Sequence, residues 1–403
     1  REKGTDIFSP NATASAGDTV EYRIISTLPT ITSVATSISE YTFTDLLSKG
    51  LSYTEGDVTI EFFTDRECTN PVNTWSQSDG KFSVDYALND DGSHTMTISM
   101  TENGLSEINS GENDNGSIYS GYSNYTMRIC YSASVNSDSS FTYGDTGNPN
   151  EVVLTWRRSS QDYYDTLIDD CHVYSYGLNV TKQFRDGKND GDMFKDVLFK
   201  LQNKTDGYFV TAKFNEEENT WYVTGTAEDE ENASSLCPNP SGELIIMGLE
   251  NDEYILTEVS TADGYTLLRE DICITITAIE DDSRPCDIYS KDTLGVIQND
   301  PRYSFDGGLD LHLANIPQIQ LTHNLLTAAA SVDGNAVTML SSGNSQNSIV
   351  PLTVINTRGF DLPQTGDTSM ITLTIVASVF AVSTAALFLV LRHYRKKDNN
   401  SNE

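Results

Sequence analysis

The side chains with catalytic potential are few and scattered along the chain. Five histidines (His94, His172, His312, His323 and His393) stand in no HExxH or triad-like context. Six cysteines (Cys68, Cys130, Cys171, Cys237, Cys273 and Cys286) include no CxxC pair, which argues against a zinc site. In an oxidising exterior some of them could pair as disulfides. Cys273, inside the strand-like ICITIT, reads as a core thiol. The stretch DGKNDGD at 186–192 has the rhythm of a calcium loop. Lys188 occupies a ligand position and no Glu closes the loop, so it reads as a solvated turn. The acidic runs NEEEN and AEDEEN read as solvated hairpin turns, and no P-loop or GxGxxG occurs. No metal, no cofactor and no turnover chemistry are therefore expected. One short stretch stands apart: Leu362-Pro363-Gln364-Thr365-Gly366. Pro363 keeps Leu362 out of the helical region and offers no N–H, so the stretch should stay extended and open to a protease-like groove. Behind it, residues 370–391 carry no charge and are long enough to cross a bilayer as a helix. Arg392, Arg395, Lys396 and Lys397 follow at once, which would hold the tail on the cytoplasmic side.

The order of motif, apolar span and basic tail resembles the LPxTG sorting signal of Gram-positive surface proteins. The resemblance implies a sortase, whose cysteine attacks the carbonyl of Thr365, releases the chain from Gly366 onward and transfers Thr365 to an amine. That amine would belong to a peptidoglycan cross-bridge or to a lysine of a neighbouring subunit. Membrane contact through 370–391 is then transient, and the expected location is the cell surface, covalently attached to the wall. A plain tail-anchored helix is the alternative.

The elements that must carry these residues are strands. The chain has 403 residues, room for two or three domains. It carries 25 Lys and Arg against 59 Asp and Glu, a net charge of -34, which argues against nucleic acid and anionic membranes as partners. Only 21% of residues are charged and 20 are Tyr, which argues against wholesale disorder. The first residue is Arg and no signal peptide precedes it, so an N-terminal part is expected to be missing. Val20, Tyr22 and Ile24 alternate with polar residues, as do Val58, Ile60 and Phe62, and Tyr125, Met127 and Ile129. This period of two, with frequent turn signals, predicts an all-β chain of tandem immunoglobulin-like β-sandwiches. Asp91-Gly92 reads as the tip of a hairpin. No long amphipathic helix is expected outside the tail.

Residues 178–358 are similar to the Cna-B/SpaA-type domain of Gram-positive pilins and adhesins. The family's E-box is matched by Tyr254, Leu256, Glu258 and Gly264-Tyr265, with Ala262 where a Pro is usual. The resemblance implies an intramolecular isopeptide bond between Lys182 in the first strand and Asn356 in the last, with Glu258 as the acid between them. Burial in an apolar core lowers a lysine pKa and raises that of a glutamate. A neutral Lys182 could then attack the Asn356 carboxamide while a protonated Glu258 polarises it and shuttles protons. The domain is long for this family, and about 285–348 reads as a long loop or insertion that includes the low-complexity stretch 326–348.

Residues 1–177 resemble the fimbrial isopeptide-formation domain of sortase-assembled major pilins, through TASAGDTVEYRI, YTFTDLLSKGLSY, GNPNEVVLTW and DDCHVYSYGLNVTK. By the same logic Lys3, Asp45 and Asn150 would be nucleophile, acid and electrophile, with Asn148 competing with Asn150. The remaining segments are a linker with the sorting motif (359–369), a transmembrane helix (370–391) and a basic cytoplasmic tail (392–403). The implied function is a structural subunit of a covalently polymerised pilus, supporting adhesion, with a host-surface ligand as a further candidate partner. The Val-Tyr-Pro-Lys-like motif that carries the acceptor lysine in this pilin family does not occur in the chain. Two other readings stay open: a stand-alone wall-anchored adhesin for host matrix or glycan, and a wall-anchored enzyme whose catalytic domain lies upstream.

Overall fold

Residues that alternate in the sequence face inward in the folded chain. Ile60 and Phe62 are fully buried, as are Met127 and Ile129, while their neighbours Glu61 and Arg128 pair on the outer face. The computed structural model describes residues 7–110, 121–162, 164–186, 191–286 and 323–359, with the short strands at 304–305, 308–309 and 311–313.

Among the described residues the first half holds β1 (Asn11–Thr13), β2 (Thr19–Thr27), β3 (Ile38–Leu47), β4 (Leu51–Tyr53), β5 (Thr59–Phe63), β6 (Asn73–Ser76), β7 (Phe82–Leu88), β8 (His94–Met100), β9 (Thr126–Val135), β10 (Asn148–Arg158) and β11 (Tyr164–Tyr174). One helix, α1 (Glu102–Ser110), packs beside β3 and β8. The strands form two facing sheets. One runs β1-β11-β10-β3-β8-β7, the other β2-β9-β5-β6 with β4 beside β9. Their inner faces meet through Ser26 and Tyr41, 3.2 Å apart, and through Tyr131 and Asp45. The hairpin at Asp91-Gly92 forms as expected: β7 pairs with β8 and Gly92 takes a positive φ of 86°.

The second half holds β12 (Tyr176–Phe184), a short helix α2 (Gly191–Phe194), β13 (Leu198–Asn203), β14 (Tyr208–Asn215), β15 (Thr220–Ala227), β16 (Glu243–Leu249), β17 (Glu253–Ser260), β18 (Ile272–Pro285), β19 (Ser304–Phe305), β20 (Gly308–Leu309), β21 (Leu311–Leu313), β22 (Asn324–Val332), β23 (Asn335–Val337), β24 (Leu340–Ser342) and β25 (Ser345–Asn356). Most of them belong to one continuous ribbon, β23-β22-β18-β17-β13-β14-β15-β16-β12-β25-β24. The ribbon folds back on itself, so that β17 faces the parallel pair β12 and β25 across a core of Val180, Leu201, Leu256 and Val354.

Ser175 alone separates β11 from β12, and the two halves interlock. Ala16 N–H donates to the Gly248 carbonyl at 3.1 Å. The buried Asp145 carboxylate accepts from Thr327 Oγ1 (2.7 Å), Ala328 N–H (2.9 Å) and Asn347 Nδ2 (2.8 Å). Arg1–Asp263 and Leu267–Asn356 accordingly form one compact unit. A second unit comprises Gly264–Thr266 and Thr357–Glu403. Within it Thr266 N–H donates to the Thr357 carbonyl (3.0 Å) and Gly359 N–H to the Gly264 carbonyl (2.9 Å).

Three expectations change. The low-complexity stretch 326–348 is no loop: it lies within β22 to β25, with Leu326, Ala328 and Ala330 facing inward. Its small side chains hid the alternation. None of the six cysteines takes part in a disulfide. Cys273 is only half buried, because Ile274 and Ile276 hold the inward phase of β18. Lys3, the sorting motif 362–366 and the apolar run 370–391 lie outside the described residues. Among the described residues no helix is long and apolar enough to cross a membrane.

Candidate functional site

The period-two phase of three strands delivers three polar residues to one buried point. On β12, Leu178, Val180, Lys182 and Phe184 face inward while Gln183 is exposed. On β17 the inward series is Tyr254, Leu256 and Glu258. On β25 it is Val350, Leu352, Val354 and Asn356. A lysine and a glutamate at inward positions are costly unless they satisfy one another. Here they do. Lys182 Nζ lies 3.1 Å from Glu258 Oε1, and neither side chain has any exposed surface. Asn356 Nδ2 donates to Glu258 Oε2 at 2.7 Å, and the Leu268 N–H donates to the same oxygen at 3.0 Å. β12 and β25 run parallel with Lys182 beside Val354 and Phe184 beside Asn356, so the amine and the carboxamide sit one step apart on one face. The Phe184 ring lies 5.0 Å from Lys182 Nζ and completes an apolar wall.

Burial lowers the Lys182 pKa, and the facing Glu258 carboxylate opposes that shift. The carboxyl thus touches both the amine and the nitrogen that a condensation would expel. Another buried lysine, Lys200, is held elsewhere: its Nζ donates to the Ala233 carbonyl at 2.6 Å.

A related constellation lies between the sheets of the first half. Asp45 on β3 is 1% exposed, and burial raises its carboxyl to about 7 against the opposing hydrogen bonds from Tyr53, Tyr131 and Asn150. Tyr53 Oη donates to Asp45 Oδ1 at 2.5 Å and Tyr131 Oη to Asp45 Oδ2 at 2.7 Å. Asn150 Nδ2 donates to Tyr131 Oη at 2.7 Å. The two candidate asparagines are thereby told apart. Asn150 faces the carboxyl. Asn148 spends its amide on the backbone, accepting from Thr142 N–H (2.9 Å) and donating to the Thr142 carbonyl (2.8 Å). Asp45, Tyr131 and Asn150 line a cavity of about 320 Å³ whose wall also includes Phe8, Ser9 and Pro10. Tyr53, Tyr131 and the Leu268 N–H were not foreseen. Tyr131 carried a signal, because it continues the alternation of Met127 and Ile129.

Residues 356–399 match the family described as LPXTG cell wall anchor motif. The chain is therefore a surface protein attached to the cell wall by a sorting signal at its C-terminal end. No curated protein matches the chain. The fold is similar to that of the group B streptococcus pilus 2b backbone protein, at 19% identity and a TM-score of 0.48 over 87% of this chain and 97% of that one. It is also similar to the T6 backbone pilin of serotype M6 Streptococcus pyogenes, at 16% identity and a TM-score of 0.46, over 86% of this chain and 67% of that one. A further similar structure is a 35 kDa C-terminal fragment of the major pilin GBS80 of Streptococcus agalactiae, at 15% identity and a TM-score of 0.48, covering 76% and 96% of the two chains.

Proposed function

We propose that the protein is a structural subunit of a covalently assembled, wall-anchored pilus, and that Lys182 and Asn356 become joined by an isopeptide bond. The observation that carries this reading is the buried contact of Lys182, Glu258 and Asn356 across the first and last strands of the second sandwich. In the reaction Glu258 takes a proton from the Lys182 ammonium. The neutral amine attacks Cγ of Asn356 and gives up a second proton as the new amide forms; Glu258 relays both protons to the departing Nδ2, which leaves as ammonium. One C–N bond forms and one breaks, without oxidant or cofactor. The event happens once per chain and gives no turnover. The same chemistry is proposed for the first sandwich, with Asp45 as the acid and Asn150 as the electrophile. Lys3 is the proposed nucleophile, since Phe8, Ser9 and Pro10 bring the N-terminal chain to the wall of the Asp45 cavity. The proposed domains are 1–177 and 178–358, each with its own cross-link, and β21 of the second adds a strand beside β11 of the first.

A bond between the first and last strands closes a loop of well over a hundred residues, which in the chain-entropy picture is worth roughly 5 kcal/mol. Unlike a disulfide it resists reduction. Sortase would add the second covalent layer, joining Thr365 to a wall amine or to a lysine of the next subunit. Intact mass tests the internal bonds. Each one removes about 17 Da, the mass of ammonia released when lysine attacks asparagine. Glu258→Ala should restore the loss belonging to the second sandwich and lower the melting temperature by roughly 10–20 °C. An unmodified mass in the unsubstituted protein would sink the proposal.

A further inference from the structure

Four side chains from three separate stretches of the chain converge beside the Asp45 site, and Asp170, His172 and His323 also line its cavity. Asp170 and His172 stand at alternate positions of β11, so both point to one face of the strand. Cys286 lies just after β18 and His323 just before β22. The chain departs at Cys286 and returns at His323, and the Cys286 N–H donates to the His323 carbonyl at 2.8 Å. One ligand-type atom from each of the four residues lies within 4.8 Å of all the others. Cys286 Sγ is 3.0 Å from Asp170 Oδ2, His172 Nδ1 is 3.8 Å from the same oxygen, and His323 Nδ1 is 3.7 Å from Asp170 Oδ1. Asp170, His172 and Cys286 are buried, and the side chain of Asp170 has no exposed surface.

We propose that Asp170, His172, Cys286 and His323 form a tetrahedral site for a divalent d-block cation, Zn2+ first among them. The donor set decides the class of ion. One thiolate, two imidazoles and one carboxylate suit a borderline-soft metal, whereas Ca2+ and Mg2+ call for oxygen ligands throughout. Bond lengths of about 2.0–2.3 Å place tetrahedral ligand atoms roughly 3.3–3.8 Å apart. His172 Nδ1 stands within that range of Asp170 Oδ2 and Cys286 Sγ slightly closer, while His323 Nδ1 approaches the other carboxylate oxygen, Oδ1, at a similar distance. Charge fits as well: a divalent ion balances one buried thiolate and one buried carboxylate, where a buried uncompensated anion would be costly. Binding displaces the proton of the Cys286 thiol to solvent. The metal would fasten β11 of the first sandwich to the two ends of the 287–322 segment of the second. CxxC spacing could not reveal it, because Cys286 and Asp170 are 116 residues apart.

The test uses the intact chain, stripped with a chelator and titrated with Co2+. One equivalent should give a thiolate-to-cobalt charge-transfer band together with the visible absorption of tetrahedral cobalt, and one equivalent of Zn2+ should bleach both. Cys286→Ser should abolish the thiolate band. His323→Ala should weaken Zn2+ binding roughly a hundredfold or more, at or beyond the upper end of what losing a supporting partner costs. Cys237→Ser, far from the cluster, should leave the titration unchanged. If Cys286→Ser does not fold, the unsubstituted spectrum and His323→Ala decide. A titration without a thiolate band, or a band that survives in folded Cys286→Ser, overturns the site.

Discussion

Lys182 shows how one residue's environment turns a solubilising charge into a reactant. On the surface it would be an ordinary ammonium. At the inward phase of β12, between Phe184 and Glu258, the charged form loses its water and the neutral form gains. Asp45 is the counterpart in the first sandwich. Its carboxyl titrates at about 7, well above the ordinary carboxylate range. Between the unfolded value near 3.8 and about 7 the folded protein therefore binds the extra proton, so Asp45 makes stability fall as pH rises through that window. The full effect is of order 4 kcal/mol, because each tenfold gain in the carboxyl's proton affinity on folding is worth about 1.4 kcal/mol. Chemical denaturation of the unsubstituted protein and of Asp45→Asn at pH 4 and pH 8 measures it. The difference in stability between the two proteins should change by that order, in favour of Asp45→Asn at the higher pH. A difference independent of pH would show that Asp45 titrates normally. The residues of the Lys182 site were legible through the family resemblance, which maps the E-box onto Tyr254, Leu256 and Glu258 and the cross-link onto Lys182 and Asn356; by residue type alone the two charges read as surface groups. The tyrosines around Asp45 were not. Tyr53 and Tyr131 read equally well as plain core aromatics, and nothing local says that their hydroxyls converge on a carboxyl.

At the scale of elements, the alternation was legible wherever bulky residues carried it, as in β2, β5 and β9. It failed in β22, where Ala328 and Ala330 are the buried residues and are too small to stand out from a polar, Gly- and Ser-rich stretch. The joining of the halves was equally silent, since it depends on backbone approach. Gly248 adopts a φ of 102°, and a Cβ there would sit 2.5 Å from the Ala16 Cβ. Gly248→Ala should thus cost about 2–4 kcal/mol through left-handed strain and overpacking together. It should also disturb the hydrogen bond from Ala16 N–H to the Gly248 carbonyl. A denaturation midpoint equal to that of the unsubstituted protein would mean that the loop around Ala16 moves aside freely.

For the whole molecule the proposed bonds and the sorting signal form one covalent line of force. Tension entering at the first strand of the second sandwich would pass from Lys182 directly to Asn356 and on to Thr365. The chain between them would carry none. Single-molecule pulling should show no extension from that segment in the unsubstituted protein. Lys182→Ala should release roughly 60 nm, since about 170 residues extend by up to 3.3–3.6 Å each. At the other end, deleting Leu362 to Gly366 should leave the protein in the membrane fraction and remove it from the wall. Continued wall attachment would mean that another segment carries the signal.

The central claim is a bond between two named atoms, and peptide mass spectrometry reads it directly. Protein released from the wall is digested, and the peptides containing Lys182 and Asn356 are sought. One branched species joining Lys182 Nζ to Asn356 Cγ is expected, lighter by one ammonia than the two peptides combined. Recovery of two separate linear peptides, with a free Lys182 amine and an intact Asn356 carboxamide, would contradict it.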